Sequence, residues 1–222
     1  APGGTLKAAP GESLTLTIGG VGLPIRAGDY AGDVVVTASK DIIVPFNLIP
    51  GVNVGPYHFR TAIYVDDGKL VREKSVAAAD PHGKVTDTSA DDVSITSKEQ
   101  DFNGIIVTGD SRYTINRPTI HLVGNGGNDF AGFGAAIMAS GNAHLTVNHA
   151  HITTRGAVRT AVFVGGNSVV TVNDSDIETR DGVLPADYHF SILPGKMMEV
   201  PYGLGISGNV RTTNLMGHGT VS

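Results

Sequence analysis

Histidines and aspartates occupy matching places 25 residues apart in this chain. Asn148 is followed by His149 and His151, and Asn173 by Asp174 and Asp176. Residues two apart in a strand face the same way, so His149 and His151 are expected on one face. If the two segments stack as neighbouring strands, His151 lies beside Asp176 and His149 beside Asp174, about 4.8 Å away. His218 falls in the equivalent zone of a following segment. Such an array suits two chemistries. Imidazoles with carboxylates or water hold a divalent metal, with Zn, Cu or Ca as candidates and His149, His151 and His218 as ligands. Alternatively, a His oriented by an Asp acts as general base near neutral pH. Arg155 and Arg180 would then neutralise a substrate carboxylate or a developing oxyanion. Tyr188 and His189, from a long insert, would supply a proton donor and its partner, or pin that insert to the body. A structural reading stands beside both: His–Asp pairs across strands contribute only about 0.2–1 kcal/mol. His58, His82, His121 and His144 have no partner readable from spacing and are taken as structural.

The elements that must position these residues come from a repeat. Gly141-Asn142 matches Gly166-Asn167, Leu145 and Val147 match Val170 and Val172, and Ile152 matches Ile177. Gly109-Asp110 opens an earlier copy in which Tyr113, Ile115, Asn116 and Ile120 fall on Leu145, Val147, Asn148 and Ile152, and Gly208-Asn209 opens a later one. A fixed period in the twenties with apolar residues two apart marks stacked strand-built units. Leu145, Val147, Ile152 and their counterparts should point inward. Asn116, Asn148 and Asn173 should stack at a bend and pass amide hydrogen bonds between units, while Thr114, Thr146 and Thr171 form an outer file. The unequal offsets place inserts at turns, at 124–134 and 183–204, which would wall off a groove. Phe130 and Phe133 either anchor the first insert or stack on a sugar.

The whole chain sets bounds. It has 222 residues, a net charge of −5 from 16 basic and 21 acidic residues, 30 Gly and no Cys. Nucleic acid and an anionic membrane are not the expected partners, and disulfides are excluded. No apolar run is long enough to span a bilayer. Residues 1–92 read as a β-rich segment, with strands at 13–18 and 33–37, a Pro-punctuated loop at 44–57, and a hairpin at 62–76 turning on Asp67-Gly68. Stacked units follow over 93–222.

The inward V-x-V-N-x-x-x-I rhythm with its Asn column resembles the right-handed parallel β-helix of the pectin-lyase-like superfamily, over about residues 93–222. The resemblance implies an all-β solenoid preceded by an N-terminal β-rich region. Members of that superfamily are commonly lyases, hydrolases, epimerases or esterases of carbohydrates, and others are adhesins. Their active sites usually lie in an outer groove. The implied function is an exported enzyme, secreted or periplasmic, acting on a polysaccharide by lyase or hydrolytic chemistry through the His/Asp groove. A metal-dependent enzyme of other chemistry, and a non-catalytic glycan-binding or adhesion solenoid, are the alternatives. Gly217-His218-Gly219 matches one polygalacturonase element, but no Asn-Thr-Asp accompanies it and Asp91-Asp92 lies too early. Asp174, Asp176 and Glu178 beside Arg155 and Arg180 are similar to the acidic and basic residues of calcium-dependent pectate lyases. The run 219–222 is strand-like with no visible end cap, so further units are expected after Ser222, lost by truncation, cut off as a second polypeptide that stays associated, or supplied by another subunit.

Overall fold

The computed structural model describes residues 14–18, 21–25, 42–45, 56–72, 74–75, 83–100, 102–127, 132–184, 186, 212–215 and 217–222. Among these the structure is all-β, and no helix is long and apolar enough to cross a membrane. Strands β1 (Leu14–Ile18) and β2 (Val21–Ile25) form an antiparallel pair. All other strands belong to three sheets.

The chain visits these sheets in rotation. The first contains β3 (Ile42–Pro45), β4 (Pro56–Asp66), β5 (Lys69–Leu70), β9 (Phe102–Thr108), β12 (Ile137–Ala139), β15 (Val162–Val164) and β18 (Thr213–Leu215). The second contains β6 (Lys84–Val85), β7 (Ser89–Asp91), β10 (Arg112–Asn116), β13 (His144–Asn148), β16 (Val169–Asn173) and β19 (Thr220–Val221). The third contains β8 (Ser94–Ser97), β11 (Thr119–Val123), β14 (His151–Arg155) and β17 (Asp176–Arg180). Within each sheet the successive passes pair in parallel, as in β4–β9–β12–β15–β18, β7–β10–β13–β16–β19 and β8–β11–β14–β17.

Period-two alternation in each short strand sends one file of side chains inward. Ile95, Ile120 and Ile152 stack in the third sheet, Ile115 and Val147 in the second, and Ile63, Ile105, Ile137 and Val162 in the first. All belong to one buried apolar cluster. Burying such side chains is the main favourable term, roughly 1.5–3 kcal/mol each.

The corners explain how short strands turn so sharply. Between first and second sheets, Gly109, Gly141, Gly166 and Gly217 all have φ between 63° and 68°. A Cβ on Gly141 would come within 2.8 Å of the Gly109 backbone nitrogen, so the backbones stack too closely for any side chain. Between second and third sheets, Asp92, Arg117, His149 and Asp174 adopt left-handed φ of 47–55°. The residue before each is Asp91, Asn116, Asn148 or Asn173. Asn173 Nδ2 donates to Asn148 Oδ1 at 2.9 Å, and Asn148 Nδ2 to Asn116 Oδ1 at 2.9 Å. Asn116 Nδ2 closes the column on Asp91 Oδ1 at 2.6 Å. The expected Asn column is present, and so is the Thr file, in the register Thr114–Thr146–Thr171.

Several expectations need correction. Parallel pairing starts before residue 93, because β4 and β7 already lie under β9 and β10. The strand Ser89–Asp91 is too short and polar to show a period. The copy read at Gly208-Asn209 is instead Gly217-His218: the His218 amide donates to Gly166 O at 2.7 Å, and Val170 pairs with Val221. Gly208-Asn209 itself lies outside the described residues. Pro45 and Pro56, assigned to a loop, face each other at the ends of β3 and β4. Strand ends on the sheet margin tolerate a missing donor. The Asp67-Gly68 hairpin forms, with φ of 46° and 71°, and joins Val65 to Leu70. Phe133 anchors the first insert, buried against Tyr64, Ile106, Met138 and Phe163 on the outer side of the first sheet. The predicted strand 33–37, Phe130, and most of the second insert lie outside the described residues.

Candidate active site

The outward face of the third sheet gathers the polar chemistry. Alternation along β11, β14 and β17 buries Ile120, Leu122, Ile152 and Thr154, and turns His121, Thr153, Arg155, Glu178 and Arg180 outward. In register, His121 lies beside Thr153 and Thr153 beside Glu178, while Val123, Arg155 and Arg180 form the next file. A cleft of about 320 Å³ is lined by His121, Val123, Thr153, Thr154, Arg155, Glu178 and Arg180. That is the lower end of the size range of small-molecule sites.

Within the cleft, His121 Nδ1 and Thr153 Oγ1 are 2.6 Å apart, a short hydrogen bond across strands. Arg180 Nε donates to Glu178 Oε1 at 2.6 Å, and this contact holds the guanidinium's proton above its already high range. The Arg155 carbonyl accepts from the Gly124 amide at 2.8 Å, but its guanidinium makes no hydrogen bond or ion pair among the described residues. At the near end of the same strands, His151 Nδ1 stands 3.4 Å from Asp176 Oδ2, the cross-strand pairing that the spacing predicted. Its side chains are 60% and 80% exposed, so this pair adds little stability.

The remaining predicted residues are scattered. His149 is not on a strand with His151. It occupies the left-handed corner position, its amide bonded to Asn173 O at 3.0 Å, and the bend after Asn148 breaks the two-residue alternation that would align the rings. Asp174 takes the same corner one pass later. His218 lies at the other corner, before the second sheet, a whole strand's length from His149. The three imidazoles proposed as metal ligands therefore do not converge, and among the described residues no three His, Cys, Asp or Glu side chains form a metal-binding group. Tyr188 and His189 lie outside the described residues.

Two important residues escaped the sequence reading. His121 has no partner readable from spacing, yet the match of Ile120 to Ile152 places it outward beside Thr153. Arg159 carried no signal at all. It is 1% exposed and sits at the corner after the third sheet. Its guanidinium donates to the carbonyls of Gly124, Phe102, Gly134, Glu99 and Asn125 at 2.7–3.0 Å. Those groups belong to the ends of neighbouring passes and of the first insert, so Arg159 ties the corner beside the cleft together. Val158, just before it, has φ of 56°, unusual strain for a β-branched residue.

Compared with known proteins, the chain matches no family model, no curated protein and no solved structure.

Proposed function

We propose that this chain is a right-handed parallel β-helix whose third-sheet face is the active face of an enzyme cleaving an acidic polysaccharide. Rotation of the chain through three parallel sheets supports the architecture, and right-handedness follows from the general chirality of parallel crossovers. The observation that carries the function is the cleft where His121, Arg155, Glu178 and Arg180 meet. A uronate ring set against Arg155 would have its carboxylate neutralised, which acidifies the neighbouring ring C–H. His121, an imidazole within the cleft, is placed to take that proton. The C–H electron pair then forms the carbon–carbon double bond as the C–O bond on the adjacent carbon breaks, the departing glycosidic oxygen takes a proton from solvent, and an unsaturated uronide remains, a lyase outcome. Among the described residues Glu178 is the one carboxylate that lines this cleft, and Arg180 already engages it; glycoside hydrolysis usually needs two, so elimination fits these residues better.

A second reading is favoured by the exposure of the face, where Arg180 is 67% and Glu178 50% exposed. Water-exposed charges stabilise transition states poorly, which suits a glycan-binding module without catalysis. An activity screen over uronic-acid polymers separates the two. The lyase reading expects unsaturated ends that disappear in His121→Ala. New reducing ends without unsaturation indicate hydrolysis, and binding without any cleavage indicates the non-catalytic module.

A further inference from the structure

The two arginines of the cleft are not equivalent. Arg155 and Arg180 stand directly opposite each other on neighbouring parallel strands, an arrangement of like charges that costs stability. Each has a residue two positions earlier on the same outward face. For Arg180 this is Glu178, whose carboxylate holds the guanidinium at 2.6 Å. For Arg155 it is Thr153, a neutral hydroxyl committed to His121 at 2.6 Å. The cleft therefore presents one engaged guanidinium and one that meets no counter-charge among the described residues.

We propose that Arg155 is the receptor for a single carboxylate of the glycan, and that Glu178, by occupying Arg180, limits the cleft to one such anion. A guanidinium matches a carboxylate through two parallel N–H donors, a match that a lysine or an imidazole does not offer. The bound carboxylate also supplies the counter-charge that the Arg155–Arg180 juxtaposition lacks. Glycans carrying two anionic groups close together, as sulfated ones do, would need both arginines and would meet repulsion from Glu178. Glu178 is thus a specificity-determining residue, selecting ligands of one acidic group per ring over densely sulfated ones. The inference rests on the reading of this face as the glycan-binding face.

The test measures affinities of the full chain for tetragalacturonate and for a heparin-derived tetrasaccharide by calorimetry, in the wild type, Arg155→Gln and Glu178→Gln. Both substitutions are on exposed side chains, and circular dichroism checks that the fold is kept. Arg155→Gln should weaken tetragalacturonate binding about tenfold or more, the loss expected for charge-assisted hydrogen bonds. Glu178→Gln should bind the heparin-derived tetrasaccharide up to about fivefold more tightly, the scale of an exposed ion pair, with smaller change for tetragalacturonate. No gain for the sulfated probe in Glu178→Gln overturns the selectivity inference and leaves the enzyme reading standing. Unchanged binding of tetragalacturonate by Arg155→Gln overturns the inference and removes Arg155 from the enzyme reading, which is then decided by whether Arg155→Gln still cleaves uronic-acid polymers. A wild type that binds neither probe and cleaves no uronic-acid polymer overturns both.

Discussion

Replacing Asn148 by Ala removes the middle rung of the amide column. Asn148 donates Nδ2 to Asn116 Oδ1 and accepts Asn173 Nδ2 on its own Oδ1, both at 2.9 Å. Two neutral hydrogen bonds are lost, at about 1 kcal/mol each. Asn116 Oδ1 is half-buried, and leaving it without a donor adds up to roughly 1 kcal/mol more. The expected destabilisation is about 2–3 kcal/mol. Asn173→Ala is the internal control, because its side chain is exposed and loses one rung among the described residues. Its cost should be about 1 kcal/mol or less. Asn116→Ala breaks the bond to Asn148 and the charge-assisted bond to Asp91 at 2.6 Å, so it should equal or exceed Asn148→Ala. Urea unfolding followed by circular dichroism gives the three midpoints, provided the slopes agree. If Asn173→Ala costs as much as Asn148→Ala, or if all three fall within 0.5 kcal/mol or so of zero as ordinary surface changes do, the column reasoning is wrong.

Other perturbations have equally definite outcomes. Arg159→Met leaves five main-chain carbonyls without their donor and should cost about 3–5 kcal/mol, with hydrogen exchange accelerated first around residues 124–127. Arg159→Lys should not rescue it, since an ammonium cannot span five acceptors. Gly141→Ala forces a Cβ toward the Gly109 nitrogen at positive φ and should lower the thermal midpoint by several degrees. Hydrogen bonds from Asn116 and then Ser89 hold the Asp91 carboxyl below the usual carboxylate range. A depressed folded-state pKa stabilises above the unfolded value and loses that contribution as pH falls through the folded one. Stability should therefore drop below about pH 4, and Asp91→Asn should flatten that part of the profile in acid urea titrations.

Strand repeats left clear marks in the sequence because most inward positions of these passes carry Ile, Leu or Val, so Leu145–Val170 and Ile152–Ile177 align by type alone. The Asn column was legible for the same reason, each rung needing both a donor and an acceptor. A second column at the Gly-Asx corner, where Asn142 Nδ2 donates to Asp110 Oδ1 at 2.8 Å, was visible only as a recurring dipeptide. The site was harder to read. His149 and His151 look equivalent in sequence, yet the left-handed corner between β13 and β14 separates them, and no residue-type pattern announces positive φ at a histidine. His218 was misplaced because the length of the excursion before it is not fixed by any repeat. Arg159 serves five carbonyls contributed by segments up to 60 residues away, and such long-range satisfaction has no local signature.

The central functional claim is that ligands engage the third-sheet face at His121. Two-dimensional NMR of the histidine ring resonances, recorded while tetragalacturonate is titrated into the wild-type chain, tests it most directly. The account predicts saturable shifts of the His121 ring, smaller ones at His151, and none at His218. Shifts confined to His218 or His149, with His121 unmoved at saturation, would contradict it.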